Sequence, residues 1–272
     1  MSSIEQHKND HSASQKTTVL VTGANGQLGM TFRKLEVEYS QLNFVFMDTQ
    51  ALDITNEEEI KRVFMELRPD YCINCAAYTN VERAEDEPEK AFLINAEAVL
   101  DLANVCKVHQ TILVHISTDY VFDGQKTTPY TVNDTPNPIN VYGESKLKGE
   151  LNIKDTLDRY FIIRTSWLYS KIYGKNFYRN IVALAKDKKE LAITDTQTGC
   201  PTDAKHLAQY ILGLITNQDD NYGVHHYSDK EVMSWYDFAK LILKENNIQN
   251  TRLIKRNNYK TKAERPVYSV LE

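Results

Sequence analysis

The most constraining feature of this 272-residue chain is a glycine-punctuated turn between a strand and a helix near its start. Thr17–Thr22 (TTVLVT) is a short β-branched run, and Gly23-Ala24-Asn25-Gly26-Gln27-Leu28-Gly29 follows, opening a helical pattern over 27–39. Strand, G-x-x-G-x-x-G and helix in that order favour a tight turn that a ligand can approach closely. The helix N-terminus then offers unpaired N–H groups to an anion. Gly23, Gly26 and Gly29 are candidate contacts to a dinucleotide pyrophosphate. The competing reading is a tight strand–helix turn that binds nothing.

The alternation continues after this turn. Apolar strand-like runs at 44–47, 71–76, 111–116 and 160–164 alternate with helical patterns at 56–67, 84–107 and 138–152. The first of these helices is capped by Thr55 or Asn56. Strands that are apolar on both faces call for cover on both sides, which predicts an α/β fold: a doubly wound parallel sheet of the Rossmann type with right-handed crossovers. Beyond about Thr165 the rhythm loosens. A smaller mixed α/β lobe over the strand ends is expected there, because ligands in such folds sit outside the carboxyl ends of the strands. The expected division is a disordered leader at 1–16, a dinucleotide-binding domain at 17–165 and a substrate lobe at 166–272.

Composition narrows the class of partner. With 42% hydrophobic and 25% charged residues the chain is an ordinary soluble globular protein, and its net charge of −5 argues against holding a nucleic-acid backbone. No run approaches the roughly 20 apolar residues of a membrane span. The polar leader has neither a secretory h-region nor a transit-peptide pattern, so a cytoplasmic location is expected. The four cysteines then read as reduced thiols. Cys72 and Cys75 lie three apart in a strand-like run, so their side chains point to opposite faces and do not share a metal.

Four side chains carry candidate chemistry. Asp48 ends the second strand, where a carboxylate can accept hydrogen bonds from an adenosine ribose and repel a 2′-phosphate; the alternative is a turn cap. Tyr142 and Lys146 lie four apart in a helical segment and share one face. There the ammonium would pull the phenol pKa down from about 10 and suit it to donate a proton to a carbonyl oxygen. Ser117 or Thr118, at the end of a strand, could hydrogen-bond the same oxygen, or merely cap that strand end.

The glycine loop, the strand-end hydroxyl and the Y-x-x-x-K pair together resemble the extended short-chain dehydrogenase/reductase family. Finer blocks carry the resemblance further: Leu52-Asp53-Ile54-Thr55, Asn74 to Thr79, Glu82-x-Ala84-Glu85, Ser117 to Gly124 (STDYVFDG) and Asn140 to Lys146 (NVYGESK). Arg164 to Tyr169 (RTSWLY), Gly199 to Thr202 (GCPT) and Arg265-Pro266 complete the set. In order, from about Val19 to Leu271, they resemble the dTDP-4-dehydrorhamnose reductase branch of that family.

The resemblance implies hydride transfer from NADH or NADPH to C4 of dTDP-4-dehydro-L-rhamnose. It makes Tyr142 the proton donor, has Lys146 hold the nicotinamide ribose and tune Tyr142, and has Thr118 position the keto sugar. Gly26, Gln27 and Leu28 would meet the pyrophosphate, Asp53 and Ile54 the adenine, and Ala76, Ala77 and Tyr78 other parts of the cofactor. Asp119 and Trp167 match substrate-contacting positions.

Three departures accompany the match. Thr31 stands where some relatives have a glutamate said to help bind Mg²⁺ between subunits, so no metal is carried over and a homodimer is left open. Cys200 replaces a usual serine or alanine. The terminal helix of relatives has no counterpart after Glu272, which predicts a shortened substrate lobe. Two rival readings stand beside the reductase: a nucleotide-binding regulatory subunit similar to that of methionine adenosyltransferase, and a reductase or epimerase of another nucleotide sugar. Retention of Thr118, Tyr142 and Lys146 favours an enzyme, because a purely regulatory role needs no tuned acid.

Overall fold

The computed structural model describes residues 16–258 and 260–272; all of the expected leader except Lys16 lies outside the described residues. The chain runs β1 (Thr17–Thr22), α1 (Gln27–Leu35), β2 (Leu42–Phe46), α2 (Glu57–Leu67) and β3 (Tyr71–Asn74). Two short helices, α3 (Val81–Ala84) and α4 (Pro88–Phe92), lead through a π-helical turn at Leu93–Glu97 into α5 (Ala98–His109). Then come β4 (Ile112–Thr118), α6 (Val141–Thr156) and β5 (Tyr160–Thr165).

The caps explain several boundaries. Asn56, not Thr55, starts α2: its side chain accepts from the Glu59 N–H, and Glu57, Glu58 and Glu59 complement the positive end of the helix. The single helix expected over 84–107 is broken. Pro88 has no N–H to donate and its ring blocks the preceding turn, so it opens a new helix at N1.

The main sheet has six parallel strands, and its order places β2 and β1 beside β3, then β4 and β5. The order reverses at β1, and such a switch point leaves a crevice at the carboxyl ends of the strands. One face buries Val19, Val21, Phe32, Ile73, Val114 and Ile163; the other buries Leu20, Phe64, Leu102, Leu113 and Ile162. Full burial of one such side chain contributes about 1.5–3 kcal/mol. Cys72 packs into the second face and Cys75 against the first.

The remaining elements are β6 (Leu168–Tyr169), α7 (Phe177–Asp187), β7 (Glu190–Ile193), β8 (Thr198–Gly199), β9 (Thr202–Asp203) and α8 (Ala204–Thr216). After them come β10 (Gly223–Tyr227), β11 (Met233–Ser234), α9 (Trp235–Glu245) and β12 (Arg252–Lys255). A boundary near residue 165 does not separate these elements as the sequence suggested. β10 is the sixth strand of the main sheet, paired in parallel with β5, and Leu207, Ile211 and Leu212 of α8 lie in the first face of its core. The sequence GVHHY hides this strand because two histidines interrupt its apolar pattern. A separate small core of Tyr178, Ile181, Leu191, Phe238 and Ile242 joins α7, α9, β7 and β12.

Val270 and Leu271 at the end of the chain are buried, Leu271 against Val121, Phe122 and Tyr130. Among the described residues no helix is long and apolar enough to cross a membrane.

Candidate active site

The turn after β1 is shaped by close approaches. Gly23 has φ +59°, and a Cβ there would lie 2.7 Å from the Ala76 nitrogen; one on Gly29 would lie 2.6 Å from the Ala24 Cα. A Cβ on Gly26 would meet only the Gly23 carbonyl, at 3.2 Å, and Gly26 faces the cleft. Among the described residues no side chain caps the N-terminus of α1. This is a cradle that fits a pyrophosphate. The Gln27 side chain is engaged elsewhere, donating to the Leu168 carbonyl at 3.1 Å and accepting from Asn176 at 3.2 Å. Leu28 is buried in the core, so both residues can serve a ligand only through the backbone.

The remaining cofactor candidates are less concentrated. Of Asp48, Asp53, Ile54, Ala76, Ala77 and Tyr78, only Ala77 lines the cleft. Asp48 accepts from the Asn25 amide at 2.6 Å and from the N–H groups of Gln50 and Ala51 at 3.0 and 3.1 Å. This is the turn-cap arrangement. Asp53 likewise accepts from the backbone and hydroxyl of Thr55, and Ile54 is buried. Asn95, in the π-helical turn, accepts from the Tyr78 N–H at 2.9 Å and donates to its carbonyl at 3.0 Å, pinning the 76–78 segment.

A cleft of about 670 Å³ brings Gly26, Gln27, Leu28 and Gly29 together with Thr118, Asp119, Tyr142, Lys146 and Trp167. Ser117 donates to Glu150 at 2.5 Å, inside a buried ion pair of Glu150 with Arg164 at 2.6 Å. Both residues line the cleft, but the Ser117 hydrogen is committed to Glu150, which leaves Thr118 as the hydroxyl without a bond to that ion pair. It donates to Asp119 Oδ1 at 3.1 Å and stands beside the Tyr142 phenol. Asp119 Oδ2 is buried and has no hydrogen-bond partner among the described residues. Burial pushes this carboxyl up to about 6, against hydroxyls of Ser269, Thr118 and Ser166 that pull the other way.

The expected Tyr142–Lys146 tuning is not what the structure shows. Burial pushes the phenol above its ordinary value, Asp119 and Tyr120 add to the rise, and only Thr118 opposes it. The Lys146 amine is turned away, donating to the Ile116 carbonyl at 2.6 Å and lying 3.0 Å from His115 Nε2. Burial lowers Lys146 to about 8, with Glu150 and Cys75 acting in the opposite sense. A strand-end carbonyl and a buried imidazole outcompete the phenol for this amine.

At the far end, Trp167 adopts φ +47° and stacks on Trp235 with ring centroids 3.6 Å apart and planes 6° off parallel. Gly199 permits this, since a Cβ there would lie 2.6 Å from the Trp167 ring. Arg265 reaches Tyr120 Oη at 3.1 Å and Glu82 at 2.6 Å, tying the C-terminal segment to α3. Sequence reasoning overlooked Asn95, His115 and Trp235. For His115 the signal was present as an imidazole inside an otherwise apolar strand, ILVHIST.

Comparison with known proteins agrees with this geometry. Residues 17–272 match the family described as RmlD substrate binding domain. The chain is 35% identical over 265 residues to dTDP-4-dehydrorhamnose reductase of Aggregatibacter actinomycetemcomitans, covering 93% of this chain and 90% of that one. It is 36% identical over 256 residues to the spore coat polysaccharide biosynthesis protein SpsK of Bacillus subtilis, covering 94% and 89%. The crystal structure of dTDP-4-dehydrorhamnose reductase from Bacillus anthracis in complex with NADP superposes with a TM-score of 0.91 at 38% identity, covering 95% and 91% of the two chains. With the sheet, the glycine turn and these matches in agreement, the chain belongs to the RmlD family of NAD(P)-binding oxidoreductases of nucleotide-sugar metabolism.

Proposed function

We propose that the chain reduces the C4 keto group of dTDP-4-dehydro-β-L-rhamnose to dTDP-L-rhamnose with NADH or NADPH, the last step of dTDP-rhamnose synthesis for a cell-surface polysaccharide. The observation that carries this reading is the convergence of Thr118, Tyr142 and Lys146 with the open N-terminus of α1 in one cleft. The relatives named as dTDP-4-dehydrorhamnose reductases support the substrate.

When bound, a reduced nicotinamide supplies the hydride. The residues of this chain do the rest. Thr118 donates a hydrogen bond to the keto oxygen, and Tyr142 delivers the proton as that oxygen becomes an alkoxide. A phenol held above its ordinary pKa is fully protonated at neutral pH, which suits a donor. Lys146 holds the nicotinamide ribose, Asp119 accepts from a sugar hydroxyl, and Trp167 borders the substrate. Gly23, Gly26 and Gly29, with the N–H groups of Gln27 and Leu28, hold the pyrophosphate. Asp53 and Ile54 meet the adenine, and Ala76, Ala77 and Tyr78 meet other parts of the cofactor. Asp48 orders the turn beneath the ribose, and the NADP complex of the Bacillus anthracis relative supports acceptance of NADPH. We assign 17–165 with 204–227 to the cofactor layer and the other described residues after 165 to the substrate lobe.

The test is to mix the protein with dTDP-4-dehydro-L-rhamnose and NADH or NADPH and follow absorbance of the reduced nicotinamide. Oxidation with formation of dTDP-L-rhamnose is expected. No oxidation with either cofactor, in a folded sample that still binds nucleotide, would overturn the reading in favour of a regulatory nucleotide-binding role.

A further inference from the structure

Two of the sequence blocks have no part in the reaction above: Glu82-x-Ala84-Glu85 at α3 and Arg265-Pro266 near the end of the chain. The structure closes both on the neighbourhood of the proton donor. Arg265 donates to Tyr120 Oη at 3.1 Å and to Glu82 Oε1 at 2.6 Å, while the other oxygen of Glu82 accepts from the Lys262 N–H at 2.9 Å. Pro266 seats on Gly124, where a Cβ would lie 2.6 Å from the Pro266 Cα. Arg265 and Pro266 thus grip one turn, 120–124, from its two ends.

That turn presses on the start of α6. A Cβ on Gly143 would strike the Tyr120 carbonyl, and the Tyr120 ring stands edge-on to Tyr142, with centroids 5.7 Å apart and planes at 74°. The helix start is held by the same segments. The Val141 N–H donates to Glu85 at 2.9 Å, and Asn140, which caps α6 by accepting from Gly143, donates to the Glu264 carbonyl at 2.8 Å. Tyr142 also packs against Tyr78, Ala84 and Ala91. The Arg265–Glu82 pair contributes little to folding, since its side chains are 25% and 41% exposed. What a guanidinium offers instead is a planar fork of donors with fixed directions. Burial pushes the Tyr120 phenol up to about 12 against the pull of Arg265, so the phenol stays neutral and accepts as a hydroxyl. Arg265 supplies it with geometry rather than charge.

We infer that Arg265, braced by Glu82, is a positioning residue that holds Tyr120 edge-on to Tyr142 and so keeps the Tyr142 phenol beside Thr118. This rests on the reading above in taking Tyr142 as the proton donor. A donor must stand within hydrogen-bond reach of the keto oxygen, and a misplacement of about 1 Å can lower a rate by about 10²-fold. Arg265 also borders the cleft, so its rival role is direct contact with the diphosphate of the sugar nucleotide. The two roles separate in kinetics: positioning acts on turnover, and contact with a remote anionic group acts on KM.

Arg265→Met should lower kcat per nucleotide-binding site by about 10–10²-fold while KM for the sugar nucleotide stays within about threefold. Tyr120→Phe keeps the ring but removes the acceptor, leaves the Arg265–Glu82 pair in place and should lower kcat in the same direction; it serves if Arg265→Met does not fold. In the double variant the two losses should not add, because both cut one linkage. Arg265→Lys keeps the charge but not the fork and should not restore turnover. A readout without any sugar is the NMR signal of the Tyr142 ring in tyrosine-labelled protein, identified by its loss in Tyr142→Phe, which should shift in both single variants. A rise in KM larger than the fall in kcat would overturn the proposal in favour of a diphosphate contact. Additive losses, or an unmoved Tyr142 signal with only a lower unfolding midpoint, would reduce Arg265 to a tie between segments. Absence of reductase activity in folded wild type would defeat the proposed reaction instead, leaving the Tyr142 signal to judge the linkage.

Discussion

The Ser117 hydroxyl donates to Glu150 at 2.5 Å, so although both residues at the end of β4 line the cleft, Ser117 has its hydrogen committed to the buried carboxylate. Side chains alternate along a strand, and the partner on each face decides what each hydroxyl does. Thr118→Val should lower turnover by about 10²–10³-fold, the usual effect of losing one donor to a developing oxyanion. Ser117→Ala should leave turnover within a few-fold and instead lower the unfolding midpoint. Steady-state kinetics and urea denaturation of both variants check this, and equal kinetic losses would contradict the assignment.

Tyr142→Phe keeps the ring and its edge-on packing against Tyr120 but removes the acid. Turnover should fall by about 10²–10⁴-fold, the typical contribution of a general acid. Nucleotide affinity should be nearly intact. Wild-type-like turnover in this variant would remove Tyr142 from the reaction.

Glu150 and Arg164 form a buried pair, with side chains 0% and 1% exposed, that fastens α6 to β5. Breaking one partner leaves an uncompensated charge in the core, so Glu150→Gln should destabilise by about 3–5 kcal/mol. The double variant Glu150→Leu with Arg164→Met should recover most of that. Urea unfolding measures both, and a loss in the single variant below the scatter of replicate curves would show that the pair is not coupled to folding.

Asp119 ties site chemistry to stability. Its carboxyl is raised from 3.8 to about 6, so between these values the folded state binds more protons than the unfolded one. Its contribution is therefore complete below 3.8 and is lost as pH rises through about 6. Asp119→Asn should flatten that fall and gain up to about 3 kcal/mol at neutral pH. The same variant should reduce activity toward the sugar, because a neutral amide oxygen is a weaker acceptor than a carboxylate. Unfolding curves at acid and neutral pH give the first outcome and kinetics the second; no stability gain at neutral pH would count against a buried, poorly partnered carboxylate.

The glycine turn and the strand–helix rhythm were legible because both are local. Turn conformation at Gly23, the start of α1 and the face shared by Tyr142 and Lys146 depend on residues a few positions apart. The break at Pro88 was equally local and could have been read, since proline at that point interrupts any continuous helix. The motif order also carried the family, which the comparisons confirm over residues 17–272.

What the sequence by itself determined is the kind of fold and the set of residues that could line its cleft. Tertiary structure alone decided which partners those residues take. Ser117 meets Glu150 across 33 positions, Lys146 meets His115 across 31, and Asn74 meets His115 across 41. β10 closes the sheet although its histidines disguise it, because pairing with β5 supplies its backbone hydrogen bonds whatever its side-chain pattern. Patterns along a chain report turns and periodicity. The charge and hydrogen-bond state of a buried group depends on neighbours brought together from distant strands and helices, and on the water that packing excludes.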